Sequence, residues 1–326
     1  MTDPGPAAEP ARSYHGQPVI KEPVWTWEIP CYFFTGGLAG ASAGLAYLSE
    51  RRGNEVLARR AWAAALVGAT ASPILLISDL GRPARFLNML RMFKVTSPMS
   101  VGSWILAAQG ASTGLVALHA WSGRLARPAA LARPAAALLG LPLSTYTAAL
   151  VANTAVPVWH ESRGLLPFVF GAGAALSAGA AAVAVTPPRH AAPARRLALL
   201  GAACELGAKE LMERRLGELG EPYRQGPAST LGHVARACIA AGAAVLATRG
   251  ASSRAAAVAG GVLLGTGALS ARWSVFKAGF GSASDPRYVV GAQRERIAAG
   301  QTPGAARTAP RVASPRSELG SPATAS

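Results

Sequence analysis

Charge is scarce in this sequence: only 15% of its 326 residues are Asp, Glu, Lys or Arg, against roughly 25% in an average soluble domain. Acids are scarcer still, 16 against 32 Lys and Arg, which leaves a formal net charge of +16. An excess of this sign raises the question of nucleic acid, but its placement argues against that class. The arginines collect between apolar runs, as at Arg51, Arg52, Arg59 and Arg60, at Arg124, Arg127 and Arg133, and at Arg189, Arg195 and Arg196, where a bilayer protein keeps its charge. Cysteine is almost missing. Cys31, Cys204 and Cys238 stand far apart, without the close spacing of zinc or iron–sulfur ligands, so they encode no metal site. Of five histidines, His119, His160 and His233 fall near predicted helix ends and His15 and His190 outside the runs, so no pair is placed to hold a b-type haem between helices. The first thirty residues lack an apolar stretch ahead of a small-residue cleavage site, and no cleavable leader is expected.

What the sequence has in excess is apolar residues, 51% of the chain, gathered in blocks rather than in amphipathic stripes. A membrane span takes about 20 predominantly apolar residues to cross roughly 30 Å of hydrocarbon. Runs of that kind occur near 30–49, 61–80, 99–121, 135–157, 165–186, 195–212, 229–248 and 254–272, with ends loose by about 2 to 4 residues. The expected fold is therefore an all-α integral membrane bundle of about eight transmembrane helices, in the plasma membrane, with a domain at 25–281. Residues 1–24 and 282–326, rich in Pro, Ser, Ala, Gly and charge, are expected to be largely disordered tails, because they bury too little apolar surface to offset the entropy of ordering. The sixth run holds Glu205, Lys209 and Glu210, and the seventh opens with His233 and Arg236; each is costly against lipid, so these helices are expected to be short or shielded. Gly36, Gly40 and Gly44, and later Gly261 and Gly265, repeat at four-residue spacing, a face that lets helix backbones approach, or a by-product of an Ala- and Gly-rich background. Basic residues in the linkers fall on both sides, so sidedness stays open.

The most distinctive segment is SDLGRPARFLNML at 78–90, followed by SPMSVGSW at 97–104. Asp79 stands at the end of the second span with Arg82 three residues on, and Gly-Arg-Pro forces a turn. One reading makes Asp79 a proton acceptor held ionised by Arg82 at short range; the other makes the loop an ordinary helix-ending turn whose arginines meet lipid headgroups. Glu205 is the second acid within a span, a candidate proton carrier or half of an i,i+4 pair with Lys209 that makes insertion tolerable. Aromatics at 25, 27 and 32–34, with Trp104, Trp121, Trp159 and Trp273, cluster at predicted span ends as an interfacial belt does.

These segments, together with WEIPCYFFTGGLAG at 27–40, YTAALVANTAVPVW at 146–159 and LMERRLGELGEPYRQG at 211–226, resemble the NrfD/PsrC family, the membrane subunits of polysulfide-reductase-type oxidoreductases. The resemblance covers most of 25–290. It implies an anchor of eight helices without haem or cluster of its own, which passes electrons between a 4Fe-4S ferredoxin-like subunit and membrane quinone, menaquinone or ubiquinone, and through that partner serves a molybdopterin-type catalytic subunit. It further implies a quinone ring held near the start of the first span and by a tyrosine of the fourth. Tyr146 resembles that tyrosine, and Glu28 is the polar residue available at the first span's start, although the polar residue there differs among family members. Asp79 and Arg82 complete the expected quinone site, Asp79 and Glu205 the proton route, and Arg85, Asn88, Arg91 and Lys94 the docking loop for the partner. Tyr146 and Glu28 are equally residues that a span boundary supplies by itself. A purely structural anchor, and a transporter or proton channel, are the competing classes; transporters usually carry internal repeats, and no convincing repeat joins the two halves here.

Overall fold

A computed structural model describes residues 20–82 and 84–289; the expectations for 1–19 and 290–326 lie outside the described residues. The described residues are helical almost throughout: α1 (Glu28–Arg51), α2 (Glu55–Asp79), α3 (Ala84–Met89), α4 (Pro98–Ser122), α5 (Ala126–Ala152), α6 (Pro157–Glu161), α7 (Leu166–Val185), α8 (Ala192–Leu216), α9 (Gly226–Thr248) and α10 (Arg254–Ser284). α3 and α6 are short pieces at the helix-bundle rim, and the other eight correspond one for one to the predicted runs. Six of these helices are long and apolar enough to cross a membrane on length and composition alone. The two that fall short do so for different reasons. α1 is diluted by glycine and serine, residues that suit a central helix: it packs on α2, α5, α7 and α10 and buries most of its length. α8 carries the charges that the sequence already flags as needing shelter.

The helix starts follow local chemistry. Asn54 accepts from the Leu57 N–H at 3.2 Å ahead of α2, Ser97 from Ser100 at 3.4 Å ahead of α4, and Ser253 from Ala256 at 3.2 Å ahead of α10, each meeting a donor that has no partner within its helix. The free carbonyls at the end of α7 are met by Arg254, which donates to Thr186 O at 2.9 Å and Val183 O at 3.3 Å, a cation at the negative end of a helix. The glycine stripe of α1 has a specific use at one position: Gly40 meets Gly140 of α5 so closely that a Cβ on either would overlap the other's carbonyl oxygen, the backbone approach that small residues permit in lipid.

Two findings correct the sequence reading of the termini and the belt. The last helix does not stop at 272 but runs to Ser284, which puts Arg272, Trp273 and Lys277 inside it; beyond it Tyr288 donates to Glu221 Oε2 at 2.8 Å, so residues 282–289 are packed onto the bundle. Asp285 there is held below the usual carboxylate range by hydrogen bonds from Arg287. Trp159 is not a belt residue either: it is fully buried, donates Nε1–H to Val275 O at 2.8 Å, stacks on Trp25 with centroids 5.5 Å apart, and occupies the space a side chain on Gly279 would need.

Candidate functional site

The start of α1, the end of α2, the start of α4 and the end of α5 meet at one rim of the bundle. Glu28 opens α1, and Thr26 just before it reaches across to α2: its N–H donates to Asp79 Oδ1 at 3.3 Å, and its hydroxyl lies between that oxygen, at 3.2 Å, and the Glu28 carboxylate. Two acids from different helices thus converge on one hydroxyl. A hydroxyl has a single proton to give, so one carboxylate is left to accept from another donor.

Tyr32 sits four residues after Glu28, on the same face of α1. It is fully buried, and its phenol oxygen has no hydrogen-bond partner among the described residues, an exception among buried polar groups that calls for an explanation. The ring of Tyr146 stands edge-on to it, centroids 6.5 Å apart and planes at 64°. Tyr146 is held in place by Gly102, which belongs to the SPMSVGSW segment: a Cβ there would fall inside the Tyr146 ring. Leu76, Leu106 and Leu143 from α2, α4 and α5 belong to the apolar core around these rings. The structure brings Glu28, Asp79 and Tyr146 to one rim, and with them Tyr32, which the sequence reading counts among the belt aromatics. The usable signal was its i,i+4 relation to Glu28.

Arg82 does not take the role expected of it. No ion pair joins it to Asp79 among the described residues. α2 ends at Asp79, and Gly81 adopts a left-handed backbone with φ 66°, which carries the exposed Arg82 off the helix while Thr26 satisfies the acid. The loop that follows is a shaped, open surface. Ser100 anchors it, accepting from Lys94 N–H at 3.1 Å and donating to Met92 O at 3.0 Å. Arg85, Asn88, Arg91 and Lys94 are all exposed, as are Leu87, Met92, Phe93 and Val95, the last two 62% and 76% exposed.

Glu205 lies elsewhere, between α7, α8 and α10, and its partner is not Lys209. Its Oε1 is 3.9 Å from Nη1 of Arg272, with both side chains at most 2% exposed. Arg272 also donates to Phe170 O at 2.8 Å and lies over the Phe170 ring, 4.2 Å from its centroid. Gly173 leaves room for the pair, since a Cβ there would strike both side chains. Lys209 instead donates to Ser274 at 3.1 Å and lies 3.9 Å from Glu213, which Arg236 approaches to 4.0 Å from the more exposed end. Ionisable groups therefore line α8 from its exposed end at Glu210 and Arg214 inward to Glu205, about 13 Å along a helix rising roughly 1.5 Å per residue. Glu205 Oε1 and Oε2 make no hydrogen bond.

Long apolar helices, acids and arginines sheltered inside them, and an open polar loop at one rim define a multi-pass membrane protein. The family model for polysulfide reductase of the NrfD type matches residues 13–213, more than half of the chain, and the chain belongs to that family of membrane subunits of oxidoreductase complexes. The matched stretch contains Glu28, Asp79, Tyr146 and Glu205, while Arg272 lies beyond it. No curated protein matches the chain.

Proposed function

We propose that this subunit exchanges electrons between an iron–sulfur partner docked at the rim and a menaquinone or ubiquinone bound beside Tyr32 and Tyr146, with the partner in turn serving a molybdopterin-type catalytic subunit. The observation that carries the reading is the grouping at one rim of Asp79 and Glu28 on Thr26, with the unpartnered phenol of Tyr32 one turn further along α1 and Tyr146 beside its ring. Quinone reduction takes up two protons with two electrons, so the site must offer hydrogen-bond donors to carbonyl oxygens and a route for protons from water. The phenols supply the donors within an apolar wall, and the half-exposed acids at the rim supply the route. Arg85, Asn88, Arg91 and Lys94, with the apolar side chains between them, offer the partner a surface of mixed character, as protein interfaces do.

Glu205 extends the proposal to protons inside the bundle. An intramembrane acid at the end of a line of ionisable groups is a proton-path candidate, and the proton-to-electron ratio of sealed vesicles tests it: Glu205→Gln should lower a ratio that exceeds the chemical protons, whereas a wild-type ratio equal to the chemical protons removes the role. The quinone site is tested by quenching of a fluorescent quinol analogue with the purified protein and by substrate-driven quinone turnover in membranes that hold the whole complex. Tyr146→Phe and Asp79→Asn should each slow turnover by about 10²-fold, the scale of a lost proton-transfer group. Full turnover with both substitutions would take these residues out of the site, and an isolated protein that never quenches the analogue would leave a structural anchor.

A further inference from the structure

A cavity of about 600 Å³ opens on the side of the bundle between α1, α5, α7 and α8, away from the tyrosine pair. Its floor is made by residues too small to fill it, Gly40, Gly44, Gly171 and Ala175, and its flanks by Leu48, Leu141 and Leu200, which are 59%, 68% and 63% exposed. A side chain added at Gly44 would meet nothing within 4 Å. The mouth is different in kind. Arg52, just past the end of α1, and Arg196, in the first turns of α8, both line it; both are exposed, and neither is in an ion pair among the described residues.

The acid nearest in sequence does not serve them. Glu50 is taken by Arg133 at 3.4 Å and by the Trp62 indole N–H at 2.8 Å. Along the linkers at this end of the bundle, the only acids are Glu50 and Glu55, against arginines in all four. Two unpaired guanidiniums beside an apolar slot call for a ligand with an anionic head and a hydrocarbon tail. From Gly40 to Arg52 the slot runs about 18 Å at roughly 1.5 Å per residue, close to the depth of one leaflet's hydrocarbon, half of about 30 Å.

We infer that this groove is a binding site for one anionic glycerophospholipid, with an acyl chain lying over Gly40 and Gly44 and the phosphate between Arg52 and Arg196. A quinone would fill the slot but leave the two cations without an anion, and a second copy of the chain would bring its own arginines to the same rim. The site is separate from the proposed quinone site and does not rest on it.

The test is native mass spectrometry of the detergent-purified full-length protein titrated with phosphatidylglycerol, phosphatidylcholine of the same chains, menaquinone, or glycerol phosphate. One phosphatidylglycerol should bind roughly 25-fold more tightly than phosphatidylcholine, about fivefold for each arginine. R52Q/R196Q should bring the two lipids level, G44L should abolish the adduct with an unchanged melting temperature, and glycerol phosphate should not compete. Should G44L fail to fold, R52Q/R196Q, exposed at the mouth, carries the test. Equal affinity for the two lipids, an adduct indifferent to R52Q/R196Q, menaquinone displacing phosphatidylglycerol, competition by glycerol phosphate, or a protein dimer covering the groove would each overturn the inference.

Discussion

Arg272→Leu should destabilise the bundle by about 3–5 kcal/mol, the cost of leaving one member of a buried ion pair uncompensated. Among the described residues neither oxygen of Glu205 is hydrogen-bonded and its one ion pair is with Arg272, so removing the guanidinium leaves the carboxylate among α7, α8 and α10 with only the more distant Lys209 charge. The reverse change should be milder. In Glu205→Gln the arginine keeps the Phe170 carbonyl at 2.8 Å and the ring beneath it. The doubly apolar Glu205→Leu/Arg272→Leu should recover most of the loss, because a buried pair replaced by apolar side chains of similar volume is often neutral. Thermal or denaturant unfolding of the detergent-solubilised protein, arranged as a double-mutant cycle, measures all three; equal losses for the two single changes would show that the carboxylate has another compensating partner.

Gly102→Ala should weaken binding of a quinol analogue and slow quinone turnover by about 10²-fold, the scale on which a displacement near 1 Å acts at a reacting centre. The methyl would occupy the place of the Tyr146 ring, which must shift out of its edge-on arrangement with Tyr32. Overpacking of this size costs about 1–3 kcal/mol, so the protein should still fold and the quenching titration remain readable. Affinity at the wild-type level in this variant would mean that the ring's position is immaterial to the ligand. The comparison with Tyr146→Phe is informative, since that change removes the hydroxyl and leaves the ring.

The spans were legible because apolar runs of membrane length have few other uses. The last helix continues to Ser284, beyond the expected end at 272, and only the fold reveals that Arg272 at that point is paired with an acid 67 positions earlier. The Asp79–Arg82 expectation failed on geometry, since spacing along a chain predicts contact only where the helix continues, and the left-handed Gly81 ends it. Tyr32 was hidden among neighbouring aromatics that composition assigns alike to the interface, whereas burial and an unpartnered phenol separate it from them. Lys209 was matched to the wrong acid because i,i+4 neighbours exist on both sides of it, and the structure selects Glu213.

The open loop after α2 bears on how the polypeptide behaves when made by itself. Leu87, Met92, Phe93 and Val95 stand bare at the rim, and apolar surface of that kind is adhesive. On the docking proposed above, a preparation lacking the partner displays a sticky collar, and co-production with that partner is the rational route to a monodisperse sample.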